Sequence, residues 1–287
     1  MYKYSVLTCI FNNYDTLKEV PYDDTIEFIC VTDNKDLKSN SWKIIIDEEL
    51  LGLDPEYASF YVRYHPFKYC STDICLRTDA SIQIKESLLP IFREFDSSNK
   101  DICVMTNSRA KTIKWELFHW MQPYYRDVKK KQVELYKELG VDINKEGCIQ
   151  SPISITRNNS LCNECDIRSW NMIKQLSTDE YTARPTQVIM TVAIYLTKGL
   201  DIMFVDENLI QSNIMQWYHH DGIRERRSLG IIKHNEFFDI PIKIYNFNGV
   251  YSITNEFRRE ATKGVSNSNQ FNIIKQYFAK QNLLNSK

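Results

Sequence analysis

KYSVLTCIFNNYD, residues 3–15, decides the fold. Lys3 to Ile10 is a run of apolar and β-favouring residues that breaks into a polar loop, Phe11-Asn12-Asn13-Tyr14-Asp15. A buried strand of roughly four to eight residues closed by turn-forming side chains is the repeating unit of an α/β sheet. The unit recurs downstream. Ile26 to Thr32 ends at Asp33-Asn34, Trp42 to Ile46 follows, Ile74 to Leu76 ends at Arg77-Thr78-Asp79, and Ile102 to Met105 ends at Thr106-Asn107. Helical patterns fill the gaps over Lys85 to Phe95, Ile113 to Trp120 and Tyr125 to Leu139, the last stopped by Gly140. The second half adds a strand at Ile149 to Thr156, helices at Asp166 to Leu176 and Thr186 to Thr197, and a strand at Ile202 to Val205. Strands alternating with helices predict an α/β fold with a mixed, mainly parallel sheet flanked by helices. Ligands of such sheets lie outside the carboxyl ends of the strands. Polar residues collect at those ends here: Asn13 and Asp15, Asp33 and Asn34, Asp79 and Ser81.

The bulk numbers narrow the class. Thirty-six basic residues against 37 acidic ones leave a net charge of −1, which argues against a nucleic-acid binder. The 287 residues suit one large α/β domain with an appendage. The expected division is 1–235 for that domain and 236–287 for a C-terminal extension. Within the extension, Ser266 to Leu284 reads as an amphipathic helix carrying Phe271, Ile274, Tyr277 and Phe278. Its polar face is not notably basic, so docking on its own domain is the first expectation, with peripheral contact at the inner membrane face as the alternative. No apolar signal region follows Met1-Tyr2-Lys3-Tyr4-Ser5, and the longest charge-free apolar stretch, Val188 to Thr197, is too short to span a bilayer. A cytoplasmic location is expected. The eight cysteines sit mostly in apolar runs and are expected as free thiols. Cys162 and Cys165 form a CxxC pair without the second pair a zinc site requires.

Chemistry-bearing residues follow from the same reading. Asp79, after a strand and before small residues, has the placement of a carboxylate that holds a divalent metal against a diphosphate, or that caps a turn. Asp33 and Asn34 are placed to accept from a base or ribose edge. Arg63 and Lys68, in a segment rich in rings, are candidate phosphate contacts. Arg184-Pro185-Thr186-Gln187 opens an apolar helix, where free amides attract anions. His219-His220-Asp221 offers a histidine for a metal shell, with His234 as a second candidate.

These stretches in their order resemble a known family. VLTCIFNNYDTLKEVP (6–21), FICVTDN (28–34), RYHPFKY (63–69), LRTDASIQI (76–84), Arg109 with Trp115-Glu116, GCIQSPISITRN (147–158), Trp170 and Arg184 to Gln187 resemble GT-A-like glycosyltransferase domains of bacterial polysaccharide gene clusters and plant mucilage synthesis. The likeness covers roughly the first 200 residues. It implies a GT-A-like fold, a nucleotide-sugar donor (a UDP-sugar) and a glycan or lipid-linked acceptor. It implies that Phe11, Asn13, Tyr14 and Asp33 surround the nucleoside, beside Asn34. Asp79, with His220, would hold Mn2+ or Mg2+, Arg63 and Lys68 would meet phosphates, and Gln187 and Arg184 would lie near the sugar. The sequence departs from the family at Phe67, where a second histidine is usual. It departs again at Arg184-Pro185-Thr186-Gln187, where an Arg-Asp-Gln triplet is common. That change removes an acid, leaving Asp179 or Glu180 as the candidate catalytic base. Two other readings stand beside this one. A sugar nucleotidyltransferase would carry a glycine-rich loop after the first strand, and residues 11–15 contain no glycine. A non-catalytic sugar-nucleotide or glycan-binding module would fit the lone carboxylate at Asp79.

Overall fold

The structure, a computed structural model, describes residues 2–107, 110, 112–119, 126–144, 148–177, 186–210, 212–218, 245–247 and 250–252. Its elements are β1 (Tyr4–Ile10), β2 (Ile26–Thr32), β3 (Lys43–Ile45), α1 (Pro55–Tyr64), β4 (Ile74–Thr78), β5 (Ile82–Ile84), α2 (Leu89–Ser98), β6 (Ile102–Thr106), α3 (Ile113–His119) and α4 (Arg126–Glu138). They continue with β7 (Ile149–Arg157), α5 (Ser160–Leu176), α6 (Thr186–Leu196), β8 (Ile202–Val205), β9 (Met215–Trp217), β10 (Tyr245–Phe247) and β11 (Val250–Ser252).

Seven strands form one sheet in the order β3-β2-β1-β4-β7-β6-β8. β7 alone in this sheet runs against its neighbours, pairing antiparallel with β4 and β6, while the other pairings are parallel. β2 is buried at every position, as expected of a strand covered on both faces. Along β1 the side chains alternate: Tyr4, Val6 and Ile10 pack with α2, whereas Leu7 joins Val62 of α1 on the opposite face. α5 and α6 pack together beside α1 and bury Trp170, Ile173, Val188 and Ile189. The mainly parallel α/β sheet flanked by helices is thus the architecture the sequence led us to expect.

Several boundaries shift for local reasons. α2 begins at Leu89, with Pro90 in its first turn, and not at Lys85; residues 85–88 link it to β5, which pairs with β9. It ends at Asn99, whose φ of 54° is the left-handed conformation of a helix C-terminus. α5 starts six residues before the expected Asp166, because the Asn159 side chain accepts from the Cys162 amide at 2.8 Å and caps it there. The CxxC pair therefore lies inside α5, both thiols buried in the core, and all eight cysteines are free. α1 has no counterpart in the sequence expectations, although Asp54 caps it through the Tyr57 amide at 2.9 Å and Pro55 opens it. Of residues 236–287 only β10 and β11 are described, so the amphipathic pattern at Ser266 to Leu284 lies outside the described residues. Among the described residues no helix is long and apolar enough to cross a membrane.

Candidate functional site

The strand order places the site. β1 and β2 run outward to β3, then the chain returns to β4 on the other side of β1. At such a reversal the loops leave in opposite directions and open a crevice at the strands' carboxyl ends. The register aligns Ile10 with Thr32 and Leu7 with Arg77. The segments that follow, with Asn13, Asp33 and Asp79, therefore leave from neighbouring strand ends along one rim.

The loop after β1 is tied to that after β2. Asn12 and Asn13 adopt left-handed backbone, φ 54° and 50°, which asparagine tolerates better than most residues. The turn aims the Asn12 amide at the Asp33 carboxylate, 3.0 and 2.9 Å from its two oxygens. Asn34 Nδ2 donates to Asn13 Oδ1 at 2.9 Å, and the Tyr14 amide donates to the Phe11 carbonyl at 3.2 Å. Tyr14 is partly exposed, while Phe11 is buried among Leu7, Ile29 and Val31. Phe11, expected among the residues around a nucleoside, has its ring in the core, where it supports the loop from beneath. Farther along, the Trp42 indole donates to the Lys18 carbonyl at 2.9 Å. Glu19 accepts from Ser39 Oγ at 2.9 Å and from the Asn40 and Ser41 amides at 3.1 and 3.0 Å. Its carboxyl is lowered by the Ser41 hydroxyl first, against a smaller burial penalty.

Asp79 is the second focus. Its amide donates to the Pro152 carbonyl at 3.0 Å, and its carbonyl accepts from the Ile82 amide at 3.0 Å, so the turn into β5 is fixed on both sides. Its carboxylate meets Arg63 Nη2, and Arg63 Nη1 donates to the Ser151 carbonyl at 2.6 Å. The Asp79 side chain is 36% exposed and that of Arg63 14%. Lys18 Nζ lies over the same turn, 3.4 Å from the Ala80 carbonyl and 5.7 Å from the centre of the Tyr218 ring. Lys18 and Tyr218 are 200 residues apart in the chain, and only the fold brings them together here. Lys68 lies elsewhere on the rim, bonded to Asp47 at 2.9 Å and Glu49 at 2.7 Å. Burial works against its charge, yet those two carboxylates raise it well above the ordinary lysine value. Asp73 stands at the opposite end of β4, where its carbonyl accepts from the Asn158 amide at 2.8 Å.

Behind Arg63 lies a buried ion pair. Arg77 Nη1 donates to Asp166 Oδ1 at 2.6 Å, with side chains 2% and 6% exposed. Burial disfavours the Arg77 charge, but Asp166 outweighs it and lifts the guanidinium above its usual value. A charged residue within a buried strand demands a buried partner; β4 runs on to Thr78, past the expected end at Leu76, and so places Arg77 inside it.

α6 reaches the same end of the sheet. Thr191 Oγ1 accepts from the Ile149 amide at 3.2 Å, at the start of β7, and donates to the Gln187 carbonyl at 2.7 Å. Gln187 Nε2 donates to the buried Glu116 carboxylate. Lys129 is also buried, and that burial pushes its ammonium down to about 7, with Glu116 the charge that pulls it back up. Between about 7 and the ordinary 10.5 the unfolded chain keeps a proton that the folded chain releases. Stability should therefore rise with pH across that window. Lys129→Met should stabilise the protein at pH 6 by about 1–3 kcal/mol and flatten the rise. Urea unfolding at pH 6 and 9.5 reads both effects; equal pH slopes in the two proteins would contradict this assignment.

The rim thus unites Asn13, Tyr14, Asp33, Asn34, Arg63 and Asp79 at adjacent strand ends. Asp179, Glu180, Arg184 and His220 lie outside the described residues, as do Arg109 and His234. No group of three or more His, Cys, Asp or Glu side chains converges among the described residues. A cation such as Mg2+ needs only one or two carboxylates when substrate phosphates and waters complete its shell. Asp79, a hard oxygen donor partly open at the rim, fits that role once Arg63 shares it.

No protein-family model matches the chain, and no curated protein matches it. Among solved structures, it is similar in fold to the bifunctional glycosyltransferase WbbM, at 12% identity and a TM-score of 0.45 over 71% of this chain and 39% of that one. It spans about two-fifths of the WbbM chain. It is similar to the galactosyltransferase LgtC in complex with donor and acceptor sugar analogues, at 12% identity and a TM-score of 0.41 over 94% of both chains. It is also similar to a putative glucose-1-phosphate thymidylyltransferase from Bacillus anthracis, at 10% identity and a TM-score of 0.38 over 80% of this chain and 95% of that one.

Proposed function

We propose that the chain is a glycosyltransferase that takes a sugar from a UDP-sugar and passes it to a glycan or lipid-linked acceptor in bacterial surface polysaccharide synthesis. The observation that carries the reading is the shared rim: the Asn12–Asp33 and Asn13–Asn34 links stand on β1 and β2, and the Arg63–Asp79 pair stands at the end of β4.

In this reading the two tied loops bind the nucleoside, and Asp33 and Asn34 fix their shape. Arg63 presents a guanidinium beside the diphosphate, aimed by Asp79 and the Ser151 carbonyl. A preorganised cation at a developing diphosphate stabilises the leaving group without reorganising during the reaction. Lys18 adds a second positive charge over the same turn. When bound, Mn2+ or Mg2+ on Asp79 and His220 would supply further charge neutralisation. Gln187 and Arg184 orient the sugar, and Asp179 or Glu180 takes the acceptor proton if the reaction inverts.

The test is UDP release by the purified protein with a panel of UDP-sugars, run with Mn2+, with Mg2+ and with EDTA. At least one UDP-sugar should yield UDP, faster with the divalent ion than with EDTA. Absence of UDP release from every sugar, together with absence of UDP binding, would sink the proposal.

A further inference from the structure

We infer that the buried Arg77–Asp166 pair is a positioning unit of the donor site, holding Arg63 where its guanidinium meets Asp79. The inference deepens the donor-site reading above and rests on it.

Four residues form a continuous polar path from the core to the rim. Arg77 Nε donates to Ser154 Oγ at 3.0 Å, and its Nη1 lies between Asp166 Oδ1, at 2.6 Å, and the main-chain carbonyl of Arg63, at 3.2 Å. One side chain thereby joins β4, β7, α5 and the last turn of α1. Carbonyls in the last turn of a helix lack an intrahelical donor, and Arg77 supplies one to Arg63 itself. From that anchored backbone the Arg63 side chain crosses to the Ser151 carbonyl and to Asp79. Exposure falls along the path, from 36% and 14% for the Asp79 and Arg63 side chains to 2% and 6% for Arg77 and Asp166.

Packing does not explain this arrangement. Around it Arg77 Nη2, Asp166 Oδ2 and Tyr64 OH are buried with no hydrogen-bond partner among the described residues. Unsatisfied buried polar atoms destabilise a fold, and apolar residues of similar volume often replace a buried ion pair without loss. An apolar pair would fill the space, but it would offer no donor to the Arg63 carbonyl and would leave the guanidinium free to swing. The flanking contacts are aromatic: Tyr61 stacks on His65 with ring centres 4.2 Å apart, and Trp170 packs edge-on against His65 at 5.5 Å. The C-terminal end of α1 is thus clamped by α5 around the very turn that Arg77 holds.

The experiment uses the full chain and the variants Arg77→Lys, Asp166→Asn and the apolar double Arg77→Met/Asp166→Leu, the last in case a single change does not fold. The first readout needs no ligand: the rate at which phenylglyoxal modifies Arg63, followed by peptide mass spectrometry. Arg63 should react several-fold faster in the folded variants than in the wild type, with unchanged near-ultraviolet circular dichroism. The second readout is UDP affinity by calorimetry. The variants should bind UDP about tenfold more weakly, the worth of one charged hydrogen bond. On an Arg63→Gln background the same changes should cost nothing further, because only a positioning role acts through Arg63. Unchanged Arg63 reactivity, or losses that add to that of Arg63→Gln, would overturn the inference. If the wild type takes up no UDP, the donor-site reading falls, and the reactivity of Arg63 alone decides whether the pair positions it.

Discussion

Asp79→Ala should cut sugar-nucleotide turnover by about 10²–10³-fold, the usual cost of losing one preorganised electrostatic contact in an active site. The expectation follows from what the carboxylate touches. Among the described residues it is the only side chain that holds the Nη2 end of Arg63, and it is the acid that would share a divalent ion with the diphosphate. Its removal therefore loosens one positive charge and deprives another of its ligand. Stability should hardly move, because the Asp79 side chain is 36% exposed and such ion pairs contribute about 0–1 kcal/mol. Asp79→Asn separates the two losses: it keeps a group that bonds Arg63 but gives up the charge. Turnover by Asp79→Ala at the wild-type rate would remove Asp79 from the site, whatever its place on the rim.

The opposite signature is expected at Asp166. Asp166→Ala leaves the Arg77 guanidinium buried and without its counter-charge, a change that costs about 3–5 kcal/mol. For a chain of this size that lowers the melting temperature by roughly 10 °C. The same helix provides an internal control. Arg168 and Glu164 also form an ion pair at 2.6 Å on α5, but both are more than two-fifths exposed. Glu164→Ala should cost only about 0.3–0.5 kcal/mol. Thermal unfolding of the two variants side by side checks the contrast; equal losses would mean that Arg77 is not held by Asp166 in solution.

What the sequence disclosed and what it hid divide along physical lines. Strands such as Ile26 to Thr32 announce themselves because both faces are buried and every residue but Glu27 is apolar or β-branched. The polar residues that end them were legible for the same reason, since Asn13, Asp33 and Asp79 interrupt those runs abruptly. α1 escaped because Tyr57, Phe60, Tyr61 and Val62 are mixed with charges and the pattern is weak, although Asp54-Pro55 marks its start. Partners were beyond reach. Arg77 finds Asp166 at a separation of 89 residues, and Gln187 finds Glu116 at 71. Pairings over such spans are set by how helices pack on a sheet, not by local pattern. The burial of Phe11 was equally illegible: its ring lies in the core beneath the loop that the family likeness marks.

In the proposed reading, UDP occupies the rim above β1, β2 and β4. Hydrogen–deuterium exchange with and without UDP tests it most directly, because the three loops fall on separate peptides. Exchange should slow over residues 11–15, 33–34 and 79–81 together, with little change along the β8 edge. Protection confined to other segments, or none at saturating UDP, would contradict it.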